Sequence, residues 1–141
     1  MLLVFLACGT NNFDKDYLTF ELRLVESEAD LNPEAMALYN SDLRFTVADS
    51  LFLTNEDLVT AEVVDKKNQP KVKVILNEEG RQKFADFTLK NIGRNAALIV
   101  DGQLVSAPRI NAQIDEGILL IVGHIDLAEA ESIARGIMPK H

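Results

Sequence analysis

The sequence predicts an α+β domain in which helices pack on one face of a mainly antiparallel sheet. Three observations lead to this prediction. Several short segments place apolar residues at every second position, which is typical of strands with one buried face. Two longer segments instead show helical spacing and begin at a capping residue. A chain of 141 residues with 48% hydrophobic and 26% charged residues can bury one core without disulfides or a structural metal.

The first strand is predicted at residues 17–25, where apolar and polar side chains alternate. Residues 26–41 are acidic and contain Asn32-Pro33, so we expect a loop with a short helical turn after the proline. Residues 43–53 are predicted to form two short strands that turn at residues 48–50. The polar sequence T-N-E-D that follows is typical of the start of a helical turn. One face of the first strand is predicted to carry Leu18, Phe20, Leu22 and Leu24.

Residues 61–65 and 71–76 alternate well and are separated by a polar loop, which predicts a hairpin. A helix is predicted over residues 78–92, because Asn77 is a good N-cap and Gly93 is a favoured left-handed stop. The side chains expected to face the sheet from this helix are those of Phe84, Phe87, Thr88 and Ile92.

A second hairpin is predicted at Asp101-Gly102, between strands at residues 96–100 and 103–107. Pro108 ends the second of these strands, because proline has no N–H for a ladder bond. The continuous apolar run at residues 118–122 predicts a strand that is buried on both faces. A last helix is predicted after Asp126, which forms a capping-box pattern with Glu129. Its buried stripe is expected to contain Leu127, Ala130, Ala134 and Ile137.

The charge and the motifs exclude several classes of protein. There are 14 Lys and Arg against 22 Asp and Glu, a net charge of −8, and nucleic-acid binding depends largely on basic residues. Cys8, His124 and His141 are too few for a zinc site, which takes about four ligands. The sequence lacks the glycine-rich nucleotide motifs, the H-E-x-x-H zinc motif and the G-x-S-x-G serine motif. We therefore predict no cofactor, no metal and no nucleic-acid partner.

The N-terminus resembles the end of a bacterial lipoprotein signal peptide. Residues 1–8 read M-L-L-V-F-L-A-C, which would make Cys8 the lipidated residue, although Phe5 stands where leucine is usual. A complete signal is longer and has a basic start, so we expect the natural start to lie upstream. The alternative is a frayed apolar terminus with a buried thiol. Residues 9–16 are predicted to be a polar tether, and residues 17–141 a single domain.

Catalytic and metal-binding interpretations are weak. Asp101, Ser106 and His124 contain the residue types of a hydrolytic triad, but Asp101 is a turn residue and no strained turn presents Ser106. The acidic pairs at residues 78–79 and 115–116 fit a helix start and an exposed turn, and they lack calcium-loop spacing. We therefore do not expect an enzyme.

Two polar regions are candidates for binding a partner. Asn91 and Arg94 flank Gly93 at the end of the first predicted helix, where a helix stop explains them equally well. The loop at residues 106–114 is the better surface candidate, because a proline stiffens it and lowers the entropy lost on binding. The candidate residues in this loop are Ser106, Pro108, Arg109 and Asn111.

Residues 87–136 contain four consecutive motifs: F-T-x-x-N-x-G-R, A-L-I-V-D-G-Q-L-V-S-A-P-R-I-N-x-x-I, G-x-x-x-I-x-G and E-A-x-x-I-A. With these motifs the segment resembles the head subdomain of the first periplasmic domain of SecD and SecDF. Ala96, Glu116 and Asp126 depart mildly from the usual family residues. The resemblance implies the fold. It does not extend to the membrane helices or the proton-handling carboxylates that SecD-type proteins carry.

We therefore predict a non-enzymatic, lipid-anchored domain outside the cytoplasm that faces the periplasm or the cell surface. The resemblance implies that it binds a polypeptide or a membrane-protein partner near the export machinery, including components of the Sec translocon. An exposed sheet edge or groove would capture extended peptide by strand addition. The alternative is an envelope module that binds a small ligand or a protein and has no export role. The membrane would be reached only through Cys8, since no apolar stretch is long enough to span a bilayer.

Overall fold

The computed structural model describes residues 11–28 and 32–139, so Cys8 and the predicted signal remnant lie outside the described residues. Two antiparallel sheets and two helices make up this part of the chain, with a 3-10 turn at Asn55–Asp57. Its strands are β1 (Phe20–Glu28), β2 (Met36–Ala37), β3 (Arg44–Val47), β4 (Leu53–Thr54), β5 (Leu58–Val64), β6 (Lys71–Leu76), β7 (Ala96–Val100), β8 (Gln103–Ser106) and β9 (Ile118–Ile121), and its helices are α1 (Glu78–Lys90) and α2 (Leu127–Gly136).

The larger sheet is built around β1. Its strand order is β2-β3-β1-β7-β8, and β4 lies beside β1 next to the position of β3. The backbone N–H of Tyr39 donates to the carbonyl of Leu104 in β8 at 2.8 Å, so the chain after β2 closes against the far edge. The sheet therefore curls around a small core of its own, formed by Val25, Phe45, Ala97, Ile99 and Leu104.

The smaller sheet has the order β5-β6-β9 and packs with the helices against the inner face of β1 and β7. Alternate residues of β6 are buried, as a strand with one core face requires. The predicted α+β class is confirmed, but the strands form two sheets instead of one. The main core includes Phe20, Leu22, Leu98, Val72, Val74, Leu119, Ile121, Phe84, Phe87, Ala130 and Ile133.

Both helices begin where the sequence predicts. The side chain of Asn77 accepts a hydrogen bond from the Gly80 N–H, and Asp126 and Glu129 form the full capping box. Gly93 has a φ of 91°, the left-handed conformation expected at a helix stop. Two residues were wrongly predicted to be buried. Ile92 lies beyond the end of α1 and is 51% exposed, and Leu127 is 38% exposed.

Three predictions about residues 17–54 differ from the structure. β3 and β4 do not pair with each other, because β1 is long enough to take both as partners along one edge. Within residues 32–41 the structure contains a turn and the short strand β2 in place of the predicted helical turn. The strand that was predicted to begin at residue 17 starts at Phe20 and continues to Glu28 through an irregularity after Val25.

Residues 11–13 pack against the domain, although the sequence assigned them to a tether. Phe13 is fully buried, and its ring lies edge-on to the ring of Tyr39 with 5.1 Å between centroids. Asn11 donates to the carbonyl of Ala128 and to the hydroxyl of Ser132 on α2. The packed domain therefore begins before residue 17, because one aromatic side chain anchors an otherwise polar segment.

The start and the end of the domain lie side by side. The Leu18 N–H donates to the carbonyl of Gly136 at 2.8 Å. A Cβ built on Gly136 would lie 2.6 Å from side-chain carbons of Leu18, so only glycine permits this approach of α2 to the first strand region. In residues 11–28 and 32–139, no helix has the length and apolar composition that crossing a bilayer requires.

Candidate functional site

An open groove of about 550 Å³ lies between β9 and residues 108–116. Its volume is within the range of ordinary ligand sites. The floor consists of side chains from β1, β7 and α1, namely the apolar Leu22, Ala96, Leu98 and Phe84 together with Thr88. The walls are formed by Ile118, Leu119, Leu120 and Val122 on one side and by Pro108, Arg109, Ile110, Asn111, Ala112, Ile114 and Glu116 on the other.

The outer edge of β9 is free where it borders the groove. The Leu76 N–H donates to the carbonyl of Gly117, so the backbone groups of residues 117, 119 and 121 face β6. Those of Ile118 and Leu120 therefore point the opposite way. In the described residues, β9 pairs with β6 alone. The groove thus has a row of unpaired N–H and C=O groups along one wall.

One end of this edge is held by β8. The carbonyl of Val122, next in the outward-facing series, accepts a hydrogen bond of 2.6 Å from the Ser106 hydroxyl. Gly123 follows and packs so closely on the Val105 carbonyl that a Cβ would overlap the oxygen. The free part of the edge is therefore short and fixed in position, because β6 holds one side and Ser106 holds the end.

The apolar run at residues 118–122 was wrongly predicted to be buried on both faces. Leu119 and Ile121 are in the core, whereas Leu120 is 45% exposed and Val122 is 37% exposed. These exposed side chains form the outer part of the β9 wall of the groove. Leu120 and Val122 lie on the same face of the strand and border the groove, so they extend its apolar surface to the exposed side.

The opposite wall is partly an extension of the β7–β8 hairpin. The Ala96 N–H donates to the carbonyl of Pro108, and the Ile110 N–H donates to the carbonyl of Arg94. Residues 108–110 therefore continue the antiparallel pairing beyond β8, with Asn95 opposite Arg109. This half of the predicted loop is ordered by backbone bonds, which fixes the position of the proline and arginine side chains at the groove.

The structure brings together half of the predicted binding residues. Pro108, Arg109 and Asn111 line the groove. Asn91 lies outside it, where its side chain donates to the Phe87 carbonyl at the end of α1. Arg94 is exposed beside the carbonyl of Val25, also outside the groove.

Ser106 is buried, and its hydroxyl bonds to the carbonyl of Val122 just after β9. It therefore does not face the groove. Asp101 pairs with Lys15 at 2.6 Å and Ser106 bonds to the Val122 carbonyl, so neither of these bonds joins members of the triad considered from the sequence. No group of potential metal ligands occurs among the described residues.

Sequence reasoning missed the apolar floor and the β9 wall. The floor residues are far apart in the chain and look like ordinary core positions, so no local pattern marks them. The sequence did contain one signal. A strand with a single core face needs apolar residues only at alternate positions, but all five residues at 118–122 are apolar.

Charge at the groove is confined to its rim. Arg109 and Glu116 are exposed on the wall, and Arg81 of α1 reaches the same region. The hydrogen bonds from Arg81 lower the pKa of Glu78 to about 2, with a second contribution from Gln82. Glu78 in turn orients Arg81, whose Nη1 donates to the carbonyl of Asp115 at 3.2 Å. The groove therefore offers apolar contact and backbone pairing, with a polar rim.

A family model for the head subdomain of the SecDF P1 domain matches residues 33–137. The chain belongs to this family. The resemblance predicted from the sequence is therefore confirmed, and it includes the groove, because both of its walls and most of its floor lie within the matched residues. The SecDF head occurs in a periplasmic region of a membrane protein.

Similar proteins carry the head as part of a longer chain. The protein translocase subunit SecD of Aquifex aeolicus is 38% identical over 128 residues, 82% of this chain and 25% of that protein. SecD of Acidaminococcus fermentans is 41% identical over 83 residues, 58% of this chain and 20% of that protein. This chain thus spans a quarter or less of the length of these relatives.

Solved structures share the fold. One, described as a structure of a membrane component SecDF that enhances protein export, superimposes with a TM-score of 0.68 at 26% identity. The match covers 86% of this chain and 62% of that chain. Another, of SecDF in the super-membrane-facing form, gives a TM-score of 0.67 at 28% identity, covering 84% of this chain and 18% of that one.

Proposed function

We propose that this SecDF-type head holds extended, apolar segments of polypeptide by pairing them with the free edge of β9. The observation that carries the proposal is the outward-facing backbone of Ile118 and Leu120 along an apolar groove. Strand addition takes its affinity from main-chain hydrogen bonds and its selectivity from pockets for alternate side chains. The action is binding, and no catalytic step is part of it.

The floor of the groove supports binding of apolar side chains. An added strand beside β9 would direct every second side chain toward the main core side of the sheet, where Leu22, Leu98 and Phe84 lie. The intervening side chains would lie beside Leu120 and Val122 on the exposed face. Covering these two residues removes apolar surface from water, which adds to the main-chain bonds.

The family supports exported chains as the source of such segments. SecDF is described as a component that enhances protein export, and an unfolded chain exposes alternating apolar segments that a native protein buries. We infer that the head acts near the export machinery, in contact with exported polypeptide or with translocon components.

We further propose that Cys8 anchors the chain to the cell envelope through lipid. The support is the sequence L-A-C followed by a polar segment, with Phe13 packed into the domain five residues later. Replacing Cys8 with alanine should release the protein from membranes in its own cells. Membrane association that persists in Cys8→Ala would rule this anchor out.

The binding proposal is tested with peptides that differ only in their ability to form a strand. An alternating apolar peptide is titrated against the purified protein, and so is the same peptide with alternate amides N-methylated. We expect binding of the first and at least tenfold weaker binding of the second. Equal binding of both would exclude strand addition, and selective stabilisation by one small compound with no peptide binding would favour the envelope-ligand alternative.

A matched pair of variants locates the site. Leu120→Lys places a charge on the free edge, which is how natural edge strands prevent pairing. Leu43→Lys changes a leucine of similar exposure, 53% against 45%, that is not part of the groove. We expect the first to lose peptide binding and the second to keep it. Retained binding in Leu120→Lys would show that the peptide lies elsewhere.

A further inference from the structure

Residues 111–116 form a strap that makes up the outer part of one groove wall. All six residues are exposed, so the strap has little core of its own to hold it in place. Several of its members line the groove, including Asn111, Ile114 and Glu116. What holds the strap to the rest of the domain therefore decides how wide the groove is.

We infer that Thr88 is a positioning residue that latches the strap against α1 and so controls how long a bound segment stays in the groove. Its hydroxyl accepts a hydrogen bond of 2.9 Å from the Ile114 N–H and donates one that is shared between the carbonyls of Phe84 at 2.9 Å and Ala85 at 3.1 Å. Thr88 is 1% exposed. This inference rests on the proposed peptide-binding function.

The other contacts between α1 and the strap are weaker. Gln113 donates to the carbonyl of Ala85 at 3.3 Å, and Arg81 donates to the carbonyl of Asp115 at 3.2 Å. Both of these bonds lie at exposed positions, where water competes for the same groups. The bond from Ile114 to Thr88 is shielded from water on the Thr88 side. It is therefore the contact whose loss is expected to release the strap.

The latch joins the strap to the groove floor through one residue. Thr88 lies one helical turn after Phe84, which forms part of the floor, and its hydroxyl bonds to the carbonyl of that residue. Breaking the Ile114 bond leaves the floor in place and frees only the wall. Local opening of this kind, with few buried contacts to overcome, is the motion expected of a segment that admits and releases a ligand.

The competing explanation is that Thr88 is a buried residue whose hydrogen bonds only stabilise the fold. Two substitutions distinguish this explanation from the latch. Thr88→Ser keeps the hydroxyl, whereas Thr88→Val keeps the shape and removes both hydrogen bonds. The exchange rate of the Ile114 amide hydrogen reports the latch directly. The dissociation rate of the alternating apolar peptide reports its effect on the groove.

We expect Thr88→Val to raise the Ile114 exchange rate at least tenfold and the peptide dissociation rate at least fivefold, while Thr88→Ser stays within twofold of the original protein. Unchanged Ile114 exchange, or faster exchange with an unchanged dissociation rate, would overturn the latch and leave the peptide proposal standing. Absence of peptide binding in the unaltered protein would overturn both. Should Thr88→Val not fold, the unaltered protein still tests the latch: the Ile114 amide, bonded to Thr88, should exchange at least tenfold more slowly than the amides of Gln113 and Asp115, and equal rates would overturn it.

Discussion

The side-chain amide of Asn55 donates a hydrogen bond of 2.8 Å to the carbonyl of Ile137, 82 residues further along the chain. The same side chain donates to the carbonyl of Leu18 and accepts from the Phe20 N–H. All three bonds are buried. One residue of the 3-10 turn thus joins the start of β1 to the end of α2.

Asn55→Ala is predicted to destabilise the domain by about 3 kcal/mol, because it leaves three buried backbone groups without partners. The measurement is the urea concentration at the midpoint of unfolding, compared at an unchanged slope of unfolding free energy against urea concentration. Asn68→Ala is the control, since this exposed residue makes a single side-chain bond to Asp65. A loss of stability no larger than that of the control would mean that water replaces the three hydrogen bonds of the Asn55 side chain.

Phe13→Ala is predicted to cost about 4 kcal/mol, the usual effect of removing a fully buried phenylalanine. Thermal unfolding measures the effect, and Tyr17→Ala, at a residue 43% exposed, provides the comparison. If residues 11–16 were a free tether, the first substitution would change nothing. The expected result therefore also places the start of the packed domain before residue 17.

Gly123→Ala is predicted to destabilise the protein by about 3 kcal/mol, because the added carbon would overlap the Val105 carbonyl and push β9 away from β8. Gly102→Ala should cost only about 1 kcal/mol. That site has open space, and the penalty comes from a φ of 79° alone. Equal losses in chemical denaturation would show that the β8–β9 approach is not tight.

The Glu78 carboxyl is predicted to titrate near pH 2, well below the ordinary value of 4.5, because Arg81 and Gln82 donate to it. A pKa lowered by folding stabilises the folded state above about pH 4.5, and that contribution is lost as the pH falls toward 2. Both partners are exposed, so solvent screens the effect on stability.

Carbon NMR of the Glu78 carboxyl measures the titration. Arg81→Ala should move the midpoint up toward 4.5, while Lys90→Ala, which removes the cation of a separate helix pair with Asp86, should leave it in place. A midpoint that does not respond to Arg81→Ala would contradict the assigned cause.

Local signals in the sequence predicted the local structure well. Asn77, Asp126 with Glu129, and Asp101-Gly102 act through groups within a few residues, so the helix starts and the tight hairpin were predicted correctly. Strand partners depend on distant segments. Nothing near β3 and β4 indicates that both pair with β1 instead of with each other.

The groove was missed for the same reason, because it depends on contacts between distant parts of the chain. Leu120 and Val122 have the composition of core residues, and only the three-dimensional position of β9 at a sheet edge exposes them. Asn91 and Ser106 look like surface binding groups in the sequence, but each bonds to a carbonyl of its own fold. A polar residue at the end of an element often satisfies such a carbonyl, and sequence alone does not separate this role from recognition.

The bond from Leu18 to Gly136 places the entry and the exit of the domain next to each other. A unit whose two ends meet at one point can be inserted into a loop of a host protein without stretching the host or the insert. Grafting residues 11–139 into an unrelated scaffold should therefore preserve the groove. A pull applied between residues 11 and 139 would load the contacts of Asn11 and Phe13 first, and then the Leu18–Gly136 bond and the hydrogen bonds of Asn55. It would largely bypass β9.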